Sequence, residues 1–337
     1  MKVLVVGAGF SGATVARILA EHGVQVDVID QRDHMGGNAY DYVNTHNITV
    51  HKYGVHIFHT NNERVFDWLS MFTEWNTYLH RVKAMLSNGK LVTFPPNKET
   101  LEQVPNIIDT FYKPYTEKMW GVPFSTVSRS VINRVKVRDD NSDLYFPNHK
   151  IQAMPKHGYA RLFERILDHA NIKVTLCTPF DRDFEKDYDH VFASMPIDQY
   201  YSSRFGKLPY RSIEFCTVDL PLPQVFPVGV VNFTHTGPET RVIEWKNFPM
   251  HGENDCVTTL TYEIPKAASD WSECYYPVDN AETKELYKQY SSIPNDRVTF
   301  IGRCGCYVYI DMDQAVNQGL STAVNFLRNN NVEPRLL

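Results

Sequence analysis

The chain opens on a short apolar run, Lys-Val-Leu-Val-Val at residues 2–6, which Gly7-Ala8-Gly9-Phe10-Ser11-Gly12 breaks off. From Ala13 to His22 the apolar positions recur at helical spacing, Gly23 ends that pattern, and Val24 to Asp30 alternates apolar with polar. The succession predicts strand, glycine turn, helix and second strand, with a carboxylate at the tip of the second strand. Near the other end, Val298-Thr299-Phe300-Ile301 reads as a strand and Gly302-Arg303 as a turn. Asp311-x-x-Gln314 follows as a capping box that opens a helix running through Leu327. Prolines are scattered between these ends (95, 96, 221, 223, 227), and no repeat or low-complexity linker divides them. The domains are therefore expected to be interleaved.

The opening pattern has a chemical meaning. Gly7 permits the tight turn, Gly9 lets a pyrophosphate approach the backbone, and Gly12 lets helix and strand pack closely, while the helix start offers free N–H groups to phosphate. Asp30 sits where a carboxylate accepts hydrogen bonds from the ribose hydroxyls of an adenosine. A second glycine pair, Gly36-Gly37, follows six residues past the acid. With the return of the chain through Gly302-Arg303, it points to FAD, a long dinucleotide held in an extended pose. A helix N-terminus near Asp311 and Met312 favours negative charge on the reduced flavin ring.

Length and composition then narrow the class. With 337 residues the chain is long enough for about two domains. Its 34 Lys and Arg against 39 Asp and Glu give a formal charge of -5, which supplies no global field for nucleic acid or an anionic membrane. Any polyanionic ligand must meet a local basic patch. Between Glu117 and Asp139 there is no acid, while Lys118, Arg129, Arg134, Lys136 and Arg138 fall within that stretch, and Val131 to Arg138 alternates like a strand. The 19 Tyr and 19 Phe exceed what a core of this size needs and permit a cleft for sugars or bases. The six cysteines show no C-x-x-C spacing, Cys304-Gly305-Cys306 is too tight for an ordinary disulfide, and no stretch approaches a membrane span. A cytoplasmic protein without membrane insertion is expected. His46, His51, His56 and His59 lack a completing carboxylate or cysteine at ligand spacing, so no metal is expected.

Several separated motifs carry a family resemblance. They are Gly36-Gly37-Asn38-Ala39-Tyr40, His51-Lys52-Tyr53-Gly54-Val55-His56-Ile57-Phe58-His59-Thr60, Tyr115-Thr116-Glu117-Lys118-Met119-Trp120-Gly121 and Pro196-Ile197-Asp198-Gln199-Tyr200. Further on come Asn232-Phe233-Thr234, Tyr275-Tyr276-Pro277-Val278, and Gly302-Arg303 with Tyr307-Val308-Tyr309-Ile310-Asp311-Met312. Across nearly its whole length the chain resembles the UDP-galactopyranose mutase family, flavoenzymes of the glutathione-reductase-like FAD fold, as an unusually short member. The resemblance implies interconversion of UDP-galactopyranose and UDP-galactofuranose by attack of reduced flavin N5 on the anomeric carbon, UDP release, ring opening and reclosure. It implies FAD, active when reduced, with NADH or NADPH as reductant, and a role in making cell-surface polysaccharide.

Carried over residue by residue, the resemblance implies the site. Arg134, on a mobile loop, and Arg241 would close on the diphosphate. Tyr145, Tyr276 and Tyr309 would hold phosphates through their hydroxyls. Tyr115 with Phe111 would stack on uracil, Trp120 would line the sugar pocket, and Asn232 would contact a hydroxyl or phosphate. His56 belongs to a loop beside the flavin. Gly37 and Asn38 would approach the dinucleotide, Arg303 would neutralise its pyrophosphate, and Asp311 and Met312 would meet the flavin. Arg134, Arg241, His56 and Tyr309 are the catalytic candidates.

The implied fold class is α/β, with a Rossmann-like FAD-binding domain (1–77, 151–200 and 277–337) and an inserted antiparallel sheet domain for substrate (78–96, 135–150 and 201–276). A small helical domain with the mobile loop (97–134) is shorter than in bacterial relatives, where it supplies the dimer contact, so oligomeric state does not carry over. His80 stands where an asparagine is expected near the sugar. The alternatives are an FAD-dependent oxidase or desaturase of the amine-oxidase type, which has no use for Arg134 and Arg241, and a non-catalytic nucleotide-sugar-binding relative.

Overall fold

A computed structural model describes residues 1–127, 137–269 and 273–334 of the chain. Its first sheet has five parallel strands in the order Ile172–Thr175, Gln25–Ile29, Lys2–Val6, His190–Ala193 and Val298–Phe300. The Lys2–Val6 strand lies at the centre of this sheet, and Val3, Leu4 and Val5 are fully buried. Burial on both faces explains why this strand reads as an unbroken apolar run while edge strands alternate. One face is covered by the helices Phe10–Glu21, Gly158–Leu167 and Met312–Asn329, packed through Val5, Ala13, Phe163, Leu320 and Ala323. The other face carries Tyr200, Tyr201 and Tyr290.

A second sheet has seven strands in the order Tyr276–Pro277, Tyr210–Leu220, Thr258–Ala267, Arg241–Glu244, Val230–Phe233, Val82–Met85 and Leu91–Phe94. All neighbours are antiparallel except Val230–Phe233 beside Val82–Met85, which is parallel. The expectation of a purely antiparallel sheet is corrected at that one pair. There a hairpin from an earlier part of the chain is added to the edge of the later strands, and no tight turn dictates its direction. A π-helical turn, Ile108–Tyr112, runs into the helix Lys113–Trp120, which lies against the Thr258–Ala267 strand. Three further strands, Phe58–Thr60, Ile151–Pro155 and Trp75–Thr77, form a small antiparallel sheet.

The elements read from periodicity are found, with adjusted bounds. The first helix begins at Phe10, directly after the glycine turn. The last helix is Met312–Asn329, and the Asp311 amide donates to Gln314 Oε1 at 2.9 Å as the capping box requires. Gly302-Arg303 opens a single helical turn, Gly302–Gly305, where an open turn was expected. The alternating segment from Val131 lies outside the described residues through Lys136, and Val137 and Arg138 are not in a strand.

Candidate active site

The glycine turn fits a dinucleotide pyrophosphate on steric grounds. Gly7 adopts φ +100°, and a Cβ there would stand 2.0 Å from Ser194 Oγ. A Cβ on Gly12 would stand 2.0 Å from the Gly7 carbonyl oxygen, so the helix packs on the turn only without a side chain. Gly9 and Gly37 face one another, the ideal Cβ of Gly37 falling 3.0 Å from Gly9 Cα. This bare strip of backbone lies at the start of the Phe10–Glu21 helix, which no side chain caps, leaving its first amides to an anionic ligand. Asp30 is buried, its Oδ2 accepting from the Ala8 amide at 2.8 Å and its Oδ1 from the Arg32 amide at 3.0 Å. Each carboxylate oxygen keeps a lone pair for a ribose hydroxyl.

Arg32, which the sequence did not single out, organises the same end. It donates to Asn38 Oδ1 at 2.9 Å and to both oxygens of Glu273, at 3.2 and 2.5 Å, with its guanidinium 4.4 Å from the centre of the Tyr53 ring. Burial opposes its charge, but Glu273 outweighs that and raises its pKa above the ordinary arginine value. Arg303 ties two separate segments of the chain together. Its Nη1 donates to the Tyr275 carbonyl at 2.9 Å and its Nη2 to the Ile310 carbonyl at 2.7 Å. Its guanidinium also lies 5.4 Å from the Tyr276 ring centre and 4.6 Å from that of Tyr309.

The substrate-side candidates converge on the second sheet. Arg241 is held by Glu263, Nε to Oε2 at 2.5 Å, across adjacent strands in which the two residues are direct partners. Glu263 is 1% exposed. Burial works against the Arg241 charge, yet Glu263 and, further out, the phenols of Tyr115 and Tyr276 hold its pKa well above the usual value. On the other neighbouring strand Arg241 faces Asn232, whose buried Oδ1 has no hydrogen-bond partner among the described residues. Such an orphaned acceptor costs free energy unless a ligand satisfies it. Tyr276 and Tyr309 stack at 5.6 Å with an interplanar angle of 11°. Burial and Tyr309 push the Tyr276 phenol up, while the cations of Arg241 and Arg303 pull it down.

The neighbouring histidines are neutral. His56 Nδ1 lies 2.8 Å from the Gly54 carbonyl, which can only accept, so Nδ1 carries the proton and Nε2 is left as an acceptor. Burial lowers its pKa to about 4, helped by Arg303 and Arg241 and opposed by the Gly54 carbonyl. His80 is buried, and desolvation with Arg241 and His59 nearby lowers its pKa to about 3. The Tyr145 amide donates to the His80 carbonyl at 2.7 Å, and this backbone contact sets the Tyr145 ring 5.5 Å from the His80 ring. His59 rests on the Phe146 ring at 3.7 Å, with its Nδ1 2.7 Å from His149 Nδ1. Burial lowers its pKa to about 4 against the pull of Asp311.

Some expectations move. Phe111 is 3% exposed, with its ring 5.9 Å from Phe94, and belongs to the core where uracil stacking was expected. It lies inside the π-helical turn, where four-residue spacing no longer keeps it on the face of half-buried Tyr115. Trp120 is also half-buried, at the end of the same helix. Lys118 does not form a phosphate patch, because its ammonium donates to the carbonyls of Phe233, His235 and Glu239 at 3.4, 2.9 and 2.8 Å. Arg138 is likewise engaged, by the Leu144 carbonyl and Asp140. Arg134, with Arg129 and Lys136, lies outside the described residues. Met312 packs partly buried against the core of the first sheet, and Asp311 stands at the start of the last helix. Among the described residues no group of three His, Cys, Asp or Glu could hold a metal ion, and no helix is long and apolar enough to cross a membrane.

This geometry can be set beside known proteins. The family model described as UDP-galactopyranose mutase matches residues 110–309, and one described as an NAD(P)-binding Rossmann-like domain matches residues 5–72. A probable UDP-galactopyranose mutase of Klebsiella pneumoniae is 35% identical, the alignment covering 97% of this chain and 94% of that one. The chain belongs to the UDP-galactopyranose mutase family. Among relatives outside the galactose name, the dTDP-fucopyranose mutase of Escherichia coli is 32% identical over 98% of this chain and 99% of its own. The crystal structure of a reduced UDP-galactopyranose mutase superposes with a TM-score of 0.73 at 17% identity, covering 98% of this chain and 95% of that chain, which shows the shared fold. The family and the Rossmann-like fold expected from the motifs are thus the ones found.

Within the UDP-galactopyranose mutase family framework, the residues that sequence reasoning missed are Glu263 and Arg32. Glu263 had a weak signal, a lone acid in the strand Leu260-Thr261-Tyr262-Glu263-Ile264. Arg32 had none, because its partner Glu273 is 241 residues away.

Proposed function

We propose that the chain interconverts UDP-galactopyranose and UDP-galactofuranose with FAD held in the dinucleotide cleft. The reading is carried by Arg241, locked by Glu263, facing an Asn232 Oδ1 without a partner among the described residues and within electrostatic reach of Tyr276, which stacks on Tyr309. A fixed cation beside phenol donors suits a diphosphate that must stay bound while its bond to the sugar is broken. An amine-oxidase type of flavoenzyme has no use for such a pair.

Reduced FAD, when bound, supplies the nucleophile for the anomeric carbon. The protein's own work is holding and orienting. Gly7, Gly9, Gly12 and Gly37 admit the pyrophosphate, Asp30 takes the ribose, and Asn38, Arg303, Asp311 and Met312 border the cofactor. The Arg241 Nε is committed to Glu263, so its Nη groups are the donors for phosphate oxygens, with the Tyr276, Tyr309 and Tyr145 hydroxyls as the further proposed donors. Arg134 is the second proposed cation. Tyr115 would face uracil and Trp120 the sugar. His56 offers its unprotonated Nε2 as a hydrogen-bond acceptor. A cytoplasmic protein recharged by NADH or NADPH completes the reading.

The test is conversion of UDP-galactofuranose by dithionite-reduced holoenzyme, followed by chromatography, with oxidised enzyme as the control. Conversion by the reduced form alone is expected. Equal rates in both redox states would refute the flavin-dependent reading, and turnover of dTDP-fucofuranose in preference to the UDP-sugar would overturn the substrate assignment.

A further inference from the structure

Two buried histidines outside the proposed site, His51 and His251, form a hydrogen-bonded chain whose direction can be deduced atom by atom. The His56 amide donates to His51 Nδ1 at 3.1 Å. An amide can only donate, so His51 Nδ1 is unprotonated and its proton sits on Nε2. His51 Nε2 lies 3.1 Å from His251 Nε2, which must therefore accept, and His251 carries its own proton on Nδ1. That Nδ1 lies 2.9 Å from the Pro249 carbonyl, which accepts. The chain runs one way, from the His56 amide through two neutral imidazoles to the carbonyl of a residue far along the sequence, and every step is satisfied.

The surroundings fix the rings in place. His51 and His251 are 1% and 5% exposed. His51 lies 5.0 Å from the Trp245 ring and edge-on to Tyr159 at 5.5 Å. Tyr159 in turn donates its hydroxyl to the His56 carbonyl at 3.2 Å. His56 is thus held at its amide by His51 and at its carbonyl by Tyr159. The loop also passes close to the Glu263–Arg241 pair, since a Cβ added at Gly54 would stand 2.8 Å from Glu263 Oε1.

We propose that His51 and His251 are positioning residues that set the Gly54–His56 loop, through this one-way chain, so that the unprotonated Nε2 of His56 and the Glu263–Arg241 pair keep their places in the site. Neither residue is among those proposed above to meet substrate or cofactor. A second proton on His51 would set an N–H against the His56 amide, so the chain works only with both rings neutral. The kinetic consequence rests on the mutase reading, whereas the proton positions do not.

Two measurements on holoenzyme test it. Long-range nitrogen–proton spectra of histidine-labelled protein at neutral pH should show His51 as the Nε2–H tautomer and His251 as the Nδ1–H tautomer, with assignments from H51N and H251Q. The opposite tautomer at either position, or an imidazolium at either, overturns the proposal. In kinetics, His51→Leu should lower kcat about tenfold to a hundredfold at unchanged flavin content, the scale expected when a reacting geometry is displaced by about an ångström. H51N places an amide oxygen where Nδ1 stood and should recover kcat to within about threefold of the wild type, since the amide keeps its acceptor. KM should change little in either variant. Wild-type kcat in H51L, or an H51N no better than H51L, refutes the positioning role. Should H51L fail to fold, the tautomer spectra of the wild type still decide, and an enzyme that shows the expected tautomers without mutase activity defeats the functional reading and leaves the chain intact.

Discussion

Replacing Arg241 separates two effects that a single alanine variant would confuse. Glu263 is 1% exposed and accepts from Arg241 Nε at 2.5 Å, so Arg241→Ala strands a carboxylate in the sheet interior. Breaking one side of a buried pair typically costs about 3–5 kcal/mol. The stranded carboxyl can escape part of that cost by taking up a proton, which raises its pKa above the unfolded value. The sign is then fixed: the folded single variant binds more protons than the unfolded chain, so its stability deficit grows as pH rises. Removing both partners in Arg241→Met with Glu263→Leu leaves no buried charge, and such apolar replacements are often close to neutral. The double variant should therefore be more stable than Arg241→Ala and still lack the phosphate contact. A hydrogen bond to a charged group is worth about 1.5–3 kcal/mol, so its affinity for UDP should fall by about ten- to 150-fold. Chemical denaturation at several pH values and titration of UDP into holoenzyme measure the two quantities. A double variant that binds UDP like the wild type would refute the diphosphate role of Arg241, and a single variant as stable as the wild type would refute the buried-pair account.

Further outcomes follow from other positions. Gly9→Ala places a Cβ 3.6 Å from Gly37 Cα, ordinary contact within the protein, so apo stability should be nearly unchanged while the flavin absorbance retained on purification drops; full flavin content would show that phosphate does not approach there. Asn232→Leu removes a buried acceptor that has no partner among the described residues, so the apo protein should gain on the order of 1 kcal/mol while UDP-sugar affinity falls, and unchanged affinity would remove Asn232 from the site. His56 and His251, lowered to about 4, and His80, lowered to about 3, are held neutral chiefly by burial. Between the ordinary histidine value and those values the unfolded chain binds more protons. The stability these groups preserve is therefore complete above about pH 6.5 and is lost as pH falls, by up to about 1.4 kcal/mol per pH unit for each group. A denaturation midpoint that stays flat or rises from about pH 7 to about pH 4.5 would contradict this.

The dinucleotide unit was legible because its signals are local. The apolar run of residues 2–6, the glycine turn, the helical spacing and the Asp311–Gln314 cap each lie within a few residues of what they specify. The glycines were readable for the same reason, since Gly12 must clear the carbonyl of Gly7 just before it in the same turn. Phe111 was carried over from the family resemblance, which does not say how deeply a ring is buried, and here it lies in a π-helical turn with its ring in the core. Lys118 was misread because a run of cations looks alike whether it meets a ligand or backbone carbonyls.

The sequence by itself determined the fold family, the glycine cradle and the identity of Arg241, Tyr276 and Tyr309 as candidates. The tertiary structure alone decided their partners. Arg241 meets Glu263 across 22 residues, His51 meets His251 across 200, and Arg32 meets Glu273 across 241. Strand register and packing bring these pairs together. A one-residue slip would turn the side chains of the Arg241 strand to the other face, so its pairing with Glu263 is set by register, while the other two pairs rest on the packing of distant segments that no local spacing specifies.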